Sequence, residues 1–180
     1  MARAQGATPR ASSAAARKRM MANRRRDTGP ELALRSELHR RGMRFRVDYA
    51  ALSSNRRRRA DIVFTKAKIA VFVDGCFWHG CPAHQTRPAA NSDYWRTKIE
   101  TNQARDADTD QQLRNAGWTV LRFWEHEVAT AAADVVESTL RSTLEAGIKR
   151  PQNATCQYDM KQAASLATRP RHGLRNHLLE

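Results

Sequence analysis

The strongest constraint on the fold is a pair of short apolar runs around a polar break. The first run covers residues 62–64 and the second covers residues 69–73. β-Branched and aromatic runs on either side of a short polar break predict a β-hairpin. With its turn centred on Ala67, antiparallel pairing places Asp61 opposite Val73 and beside Asp74. Carboxylates and carbonyls gathered at one end of a hairpin can hold a hard cation such as Mg²⁺.

A cluster of cysteine and histidine follows the hairpin directly. Cys76, His79, Cys81 and His84 lie close together, and His126 lies far along the chain. Zinc takes four such ligands, so one of the five candidates has another role. One set uses both cysteines, His84 and His126, and leaves His79 as a general acid or base beside the cation. The alternative set uses His79 and leaves His84 free.

Positive charge is concentrated in the first third of the chain. The whole chain has 32 Lys+Arg against 18 Asp+Glu, a net charge of +14, and residues 1–60 alone hold 17 against 4, a net charge of +13. This asymmetry is typical of a nucleic-acid partner, although a solubilising disordered tail would have the same composition. An anionic membrane surface fits less well, because the arginines lie among small residues rather than on an amphipathic helix.

Cysteine usage and hydropathy predict the compartment. The chain has 3 cysteines, two of them beside histidines, which favours a metal site in a reducing compartment over a disulfide framework. Cys156 is expected to be a free thiol. No run approaches the ~18 apolar residues of a membrane span, and the amino terminus lacks the apolar segment of a secretory signal. We therefore expect a cytoplasmic protein that does not bind membranes.

The composition divides the chain into three segments. Residues 1–26 are rich in Ala, Ser and Arg without hydrophobic periodicity, which predicts an arm that is disordered until it binds. Residues 27–146 form the folded domain, and residues 147–180 are a polar tail to which the sequence assigns no role. The basic arm could lie in a DNA groove through the residues Met20, Met21, Arg24, Arg25 and Arg26.

The patterning of the domain predicts a helix, three strands, a helix, a strand and a helix, an α/β fold around a small mixed sheet. Thr28 and Glu31 have capping-box spacing for the first helix, and Gly42 is its predicted stop. Residues 43–47 alternate apolar and basic, which predicts the first strand. The later elements are a helix over 91–115 with Asn91 or Ser92 as its cap, a strand over 118–124 and a helix to about 145. The core candidates on the last helix are Val128, Val135, Leu140 and Leu144.

Two further features have two interpretations each. Residues 56–59 are consecutive arginines that could meet a phosphate backbone or form an exposed charged loop. Phe77, Trp78 and Trp95 could stack on bases or wedge between them, or they could belong to the core. For Phe77 and Trp78, the turn-rich loop between metal-ligand types favours contact with DNA.

Several motifs together closely resemble the very short patch repair (Vsr) mismatch endonucleases. The resemblance covers roughly residues 17 to 145, and the motifs are DTGPE at 27–31, DIVF at 61–64, VFVDGCFWHGCP at 71–82 and WEH at 124–126. It implies a restriction-endonuclease-like fold of the PD-(D/E)xK type with a three-layer core and one structural zinc. It also implies a Mg²⁺-dependent nick beside the T of a T·G mismatch, which arises when 5-methylcytosine deaminates.

The resemblance implies roles for individual residues. Asp61 matches the catalytic metal-binding aspartate, and the Val73 carbonyl matches the second protein contact to Mg²⁺. His79 matches the catalytic histidine, with Glu31 and Asp74 at supporting positions. The implied zinc ligands are Cys76, Cys81, His84 and His126, and the implied mismatch-inserting aromatics are Phe77, Trp78 and Trp95.

The chain departs from the family pattern before Asp61, where residues 53–59 replace a short Pro-Gly-x-Pro turn. Restriction-type sites usually carry a lysine after the hairpin; none is present, so His79 must take its place. The implied partners are duplex DNA with a T·G mismatch, a cytosine-5 DNA methyltransferase and other repair proteins, and a monomer is expected. Two other functions fit the residues: a restriction-like nuclease without a mismatch requirement, and a non-catalytic zinc-stapled DNA-binding protein.

Overall fold

A four-stranded mixed sheet forms the centre of the protein. The computed structural model describes residues 9–22, 24–84 and 88–145. Strands β1 and β2 pair antiparallel, as do β2 and β3, whereas β3 and β4 pair parallel. The predicted α/β fold around a small mixed sheet is therefore confirmed. In sheet order the strands are β1 Arg46–Tyr49, β2 Ala60–Phe64, β3 Ile69–Asp74 and β4 Thr119–Trp124.

Five helices accompany the sheet within the described ranges. The predicted order of elements is confirmed, with two additional helices, a basic one before the domain and a single turn after β3. None of the helices in these ranges has the length and apolar composition needed to cross a membrane. The helices are α1 Ala14–Ala22, α2 Gly29–Arg40, α3 Cys76–His79, α4 Ser92–Asn115 and α5 Ala129–Glu145.

Helices cover both faces of the sheet. Successive strand residues point to opposite faces, so the nearly continuous apolar runs of β2 and β3 supply two cores. On one face α2 and α5 bury Leu34, Leu38, Ala133 and Val136 against Ile62, Val71 and Leu121. On the other face α4 contributes Leu113, which packs with Val63, Ala70, Phe72 and Val120. The result is three layers, with the sheet in the middle.

The structure differs from the sequence prediction in the basic arm. Helix α1 lies in the segment predicted to be disordered before binding. Ala, Arg, Lys and Met all favour helix intrinsically, and the prediction considered only the missing hydrophobic periodicity. Met20 and Met21 on this helix are exposed. Residues 1–8 and 146–180, including Cys156, lie outside the described residues.

The hairpin register differs by one residue from the predicted one. Ile62 pairs with Val71 and Phe64 pairs with Ile69, whereas a turn centred on Ala67 would pair Phe64 with Ala70. Residues 65–68 form a four-residue turn, and Lys68 closes it at φ 51° in the left-handed region. The centre of the turn therefore lies between residues 66 and 67.

Three local predictions are corrected. The first strand begins at Arg46 rather than residue 43, because Met43 and Phe45 reach the core from a loop. No side-chain hydrogen bond caps α4, whose N-cap residue Asn91 has a left-handed backbone. On α5, Val135 and Leu140 pack against the core as predicted, but Leu144 and Val128, which precedes the helix, are exposed. The small residues Ala132 and Ala133 allow α5 to approach the sheet closely, so its buried stripe lies there.

The core predicts a difference between two leucines of α2. Leu38 is fully buried, whereas Leu32 on the same helix is 48% exposed. Leu38→Ala should lower the free energy of unfolding by about 2–5 kcal/mol, because it removes buried surface and leaves a cavity. Urea denaturation measures the free energy of unfolding. Leu32→Ala is the control, because it replaces a leucine at an exposed position of the same helix. Equal destabilisation by the two substitutions would contradict the assigned core.

Candidate active site and metal centre

Parallel pairing of β3 with β4 assembles the candidate site. The register pairs Asp74 with Trp124, so both strands end at the same edge of the sheet. The backbone N–H of Glu125 donates to the Asp74 carbonyl at 2.9 Å. The Glu125 carboxylate accepts in turn from the Cys76 N–H at 2.7 Å, across 49 residues of sequence. These bonds join the loop after β3 to the residues after β4.

The four predicted zinc ligands lie together at this edge. The ligand atoms of Cys76, Cys81, His84 and His126 all lie within 4.8 Å of one another, and the cysteines are buried. Cys76 Sγ is 3.1 Å from His126 Nδ1 and 3.9 Å from His84 Nδ1, and the two histidine Nδ1 atoms are 3.1 Å apart. Around a tetrahedral zinc ion, sulfur and nitrogen ligands would lie about 3.6 Å apart and two nitrogens about 3.3 Å apart. These residues therefore fit one tetrahedral metal ion.

His79 lies in a second cluster. His79 Nδ1 is 2.5 Å from Asp106 Oδ2 and 3.7 Å from Asp74 Oδ1. Cys76 and His79 are the first and last residues of α3, and their side chains belong to separate clusters. Of the two ligand sets that the sequence left open, the geometry therefore favours the one with His84 and leaves His79 available for another role.

Helix α3 is held tightly against α4. Asn102 donates to the Trp78 carbonyl at 2.9 Å, and Gln103 donates to the His79 carbonyl at 3.0 Å. Gly80 ends α3 at φ +68°, and a Cβ there would lie 2.7 Å from Gln103 Nε2. A side chain at this position would be strained by the positive φ and would displace the Gln103 amide.

Asp61 lies at the start of β2, beside the end of β3. The Val73 N–H donates to Asp61 Oδ2 at 2.8 Å, so the two residues are neighbours despite the shifted register. The N–H and C=O of one strand residue point to the same side, so the Val73 carbonyl also points towards β2. Burial, and then the charges of Glu31 and Asp74, raise the pKa of Asp61 to about 7 against the opposing effect of the Val73 hydrogen bond. Within the described ranges Asp61 forms no ion pair, which suits it to a divalent cation.

Glu31 is buried in a network at the start of α2. Its carboxylate accepts hydrogen bonds from the Asp27 N–H at 3.0 Å, the Thr28 hydroxyl at 3.0 Å and Arg35 Nη2 at 2.8 Å. Thr28 is the N-cap residue as predicted, but its hydroxyl donates to Glu31 instead of accepting from the helix backbone, so the capping box is incomplete. Glu31 thus accepts a hydrogen bond from the N–H of Asp27, the residue before the N-cap, and also places negative charge near Asp61.

Two residues of the second cluster were given no role by the sequence analysis. Asp106 binds His79, and Arg122 donates from Nη1 to both oxygens of Asp74 at 2.8 Å. Burial raises the pKa of Asp74, and the charges of Arg122 and His79 oppose that rise. One sequence signal was available, because an arginine within the apolar strand β4 needs carboxylate partners if it is buried.

The predicted DNA-contacting aromatics form one half-buried cluster. Ring centroids are 5.1 Å apart for Phe77 and Trp78, 5.2 Å for Phe77 and Trp95, and 5.8 Å for Trp78 and Trp95, with edge-to-face geometry. Tyr94 extends the cluster, with its ring 5.2 Å from Trp95. The cluster lies at the start of α4 and on α3, which also carries Cys76 and His79.

Some of the predicted basic residues form ion pairs within the protein. Arg24, Arg25 and Arg26 are all exposed, and Arg26 also forms ion pairs with Asp27 and Asp48. In the four-arginine loop, Arg58 pairs with Asp108 at 2.8 Å and Arg59 with Asp48 at 2.7 Å. Two of the four arginines in this loop are therefore held by ion pairs with the rest of the protein.

Comparison with known proteins identifies the family. The profile of the family described as DNA mismatch endonuclease Vsr matches residues 11–85. The type II nicking enzyme V.NaeI of Lentzea aerocolonigenes is 47% identical over 140 residues, which cover 77% of this chain and 84% of that protein. The chain belongs to the Vsr endonuclease family.

Two further Vsr-type relatives extend the comparison. The type II nicking enzyme V.XorIIP of Xanthomonas oryzae pv. oryzae is 40% identical over 124 residues, 68% of this chain and 86% of that protein. The DNA mismatch endonuclease Vsr of Escherichia coli K12 is 37% identical over 109 residues, 60% of this chain and 67% of that protein. The family expected from the motifs is thereby confirmed.

The two clusters of this Vsr-family protein predict opposite effects for two histidine substitutions. His84→Ala removes one of four converging ligand atoms, so the purified variant should lose most of its bound metal and unfold at a lower temperature. His79→Ala leaves those four atoms intact and should retain the metal content of the wild type. Elemental analysis of both purified variants measures the difference. Metal loss on His79→Ala with retention on His84→Ala would reverse the ligand assignment.

Proposed function

We propose that this Vsr-family endonuclease nicks one DNA strand beside the T of a T·G mismatch. The observation that carries the proposal is the end of β3, where Asp61 contacts Val73 on one side and the His79–Asp106 pair lies against Asp74 on the other. A carboxylate suited to a metal ion and a histidine oriented by a carboxylate can together catalyse phosphodiester hydrolysis. The names of the nicking and mismatch-endonuclease relatives support the reaction and the substrate.

Asp61 and the Val73 carbonyl are the proposed Mg²⁺ ligands. Asp61 Oδ2 already accepts a hydrogen bond from the Val73 N–H, which leaves Oδ1 for the ion. When bound, Mg²⁺ supplies charge that polarises the phosphate and stabilises the developing negative charge. Burial raises the pKa of Asp61 to about 7, so the ionised carboxylate needs a cation beside it, and Mg²⁺ would compete with a proton for this position.

His79 is the proposed proton-transfer residue. Its Nδ1 lies 2.5 Å from Asp106, which fixes the ring and leaves Nε2 to take a proton from water or to donate one to the leaving oxygen. Burial acts to lower the pKa of His79, but the Asp106 hydrogen bond and the charges of Asp74 and Asp106 outweigh it, so the pKa is raised. His79 thereby fills the position where restriction-type sites use lysine.

The remaining predicted residues have supporting roles in this proposal. Glu31 and Asp74 set the charge around Asp61 and His79. Cys76, Cys81, His84 and His126 hold a structural zinc ion that fixes α3 and performs no chemistry. We also propose that the sheet and its two helix layers form a restriction-endonuclease-like core of the PD-(D/E)xK type.

The proposed DNA-binding surface combines aromatic and basic residues. The Phe77, Trp78 and Trp95 cluster inserts beside the mismatch, because ring faces can replace the stacking that a displaced base loses. Met20 and Met21, with Arg24, Arg25 and Arg26, contact the DNA groove and backbone. We propose a cytoplasmic monomer that acts on the products of deaminated 5-methylcytosine, and hence alongside a cytosine-5 DNA methyltransferase and other repair proteins.

A labelled duplex with one T·G pair, beside its fully paired control, tests the reaction. We expect a single-strand nick in the mismatched duplex only, in the presence of Mg²⁺, and no product after EDTA treatment. Cleavage of both duplexes would replace the proposal with a restriction-like nuclease. Tight binding without any cleavage would replace it with a non-catalytic DNA-binding protein.

Substitution of Asp61 tests the catalytic assignment separately. Asp61→Asn should lower the single-turnover nicking rate by about three orders of magnitude, because metal-ion stabilisation of the transition state is worth several kcal/mol. Binding of the mismatched duplex in a gel shift should be retained. The control Asp134→Asn removes the same charge from an exposed aspartate of α5 that pairs with Arg41. Equal nicking by the two variants, or a parallel loss of binding in Asp61→Asn, would exclude the proposed role.

A further inference from the structure

Arg122 is an arginine inside an apolar strand. Its neighbours on β4, Leu121 and Phe123, are buried in the core beneath α2 and α5, so Arg122 points to the opposite face, towards α4. Its guanidinium lies 4.4 Å from the centroid of the Phe72 ring, and its side chain is 21% exposed. Placing an arginine here requires carboxylates that compensate for its lost hydration.

Three carboxylates from two elements surround this guanidinium. Nη1 donates to both oxygens of Asp74 on β3 at 2.8 Å, and Nε donates to Asp110 on α4 at 2.9 Å. Nη2 lies 3.5 Å from Asp106 Oδ1, also on α4. The planar fork of an arginine can serve several carboxylates at once, which a lysine cannot do with the same geometry. Arg122 therefore links the end of β3 to α4.

The same network reaches His79 through Asp106. Oδ1 of Asp106 faces Arg122, while Oδ2 is bound to His79 Nδ1 at 2.5 Å. Asp74 also lies near both groups, 3.7 Å from His79 and bound to Arg122. Without the guanidinium, Asp74 and Asp106 would be two neighbouring carboxylates with only His79 between them, and their repulsion would favour a different rotamer of Asp106.

We propose that Arg122 is a positioning residue for His79, acting as a built-in cation that holds Asp74 and Asp106 in place. The proposal rests on the nuclease function proposed above for His79. Asp74, His79 and Asp106 have a geometry that could hold a metal ion. Arg122 already supplies positive charge and N–H donors to both of these carboxylates, so it takes the place of a second cation.

The test compares Arg122→Gln with Arg114→Gln in the full-length protein. Arg114 also lies against Asp110, at 3.4 Å, so the control removes one positive charge from the same neighbourhood without touching Asp74. In single-turnover nicking of the T·G duplex, Arg122→Gln should be about 100-fold slower than Arg114→Gln, the loss expected from a misplacement of about 1 Å. The two variants should bind the duplex equally well, since each has lost one charge.

A second variant perturbs the network less than Arg122→Gln, and a second readout does not require nicking activity. Asp110→Asn removes only the outer partner of Arg122 and should slow nicking in the same direction but less. In the DNA-free protein, the ¹⁵N resonances of the His79 ring should change in Arg122→Gln, because Asp106 no longer enforces one tautomer, and should stay unchanged in Arg114→Gln.

The outcomes separate this inference from the proposed function. Nicking by Arg122→Gln at the rate of Arg114→Gln, with unchanged His79 resonances, would overturn the positioning role while leaving the nuclease function in place. Failure of the wild type to nick the T·G duplex would instead contradict the proposed function. In that case the His79 resonances alone would decide the role of Arg122: a change in Arg122→Gln supports it and no change overturns it.

Discussion

Parallel pairing of β3 with β4 is the constraint on which both side-chain clusters depend. It places Asp74 opposite Trp124, so the loop that carries Cys76 and His79 emerges beside His126. A one-residue shift between these strands would turn Arg122 away from Asp74 and move His126 away from the cysteines. The Glu125 carboxylate, bound to the Cys76 N–H, reinforces this register from the loop side. The buried apolar residues on both faces of β3 stabilise the pairing.

Two networks of arginine and carboxylate side chains lie on either side of Asp61. Arg35 compensates Asp27 and Glu31 on one side, and Arg122 compensates Asp74 and its neighbours on α4 on the other. Asp61 lies between these two networks without an arginine of its own in the part of the chain that the structure describes. The protein thus supplies cations to its supporting carboxylates and leaves uncompensated the one that is proposed to bind Mg²⁺.

Local patterns in the sequence predicted much of this arrangement. The hairpin, α4, β4 and the grouping of Cys76, Cys81 and His84 follow from apolar runs and close spacings, which act over a few residues. His126 lies far along the chain, and only its residue type and the family resemblance assigned it to this cluster. The role of Arg122 and the partner of His79 did not follow, because both depend on the long-range pairing of β3 with β4 and the packing of α4. The hairpin register was wrong by one residue because the backbone of Lys68, rather than residue type alone, sets the turn. Val128 and Leu144 are exposed because they lie at the two ends of α5, whereas Ala132, Ala133 and Val136 of its first half are buried.

The order of chain segments has a consequence for folding. The contact between Asp74 and Arg122 closes a span of 48 residues, and the cluster that includes Cys76 and His126 closes one of 50. Closing such long loops costs more chain entropy than forming the local helices and the β2–β3 hairpin. A nascent chain in which β4 has not yet been synthesised therefore lacks both assembled clusters. The proposed nuclease site is therefore complete only after β4 has paired with β3.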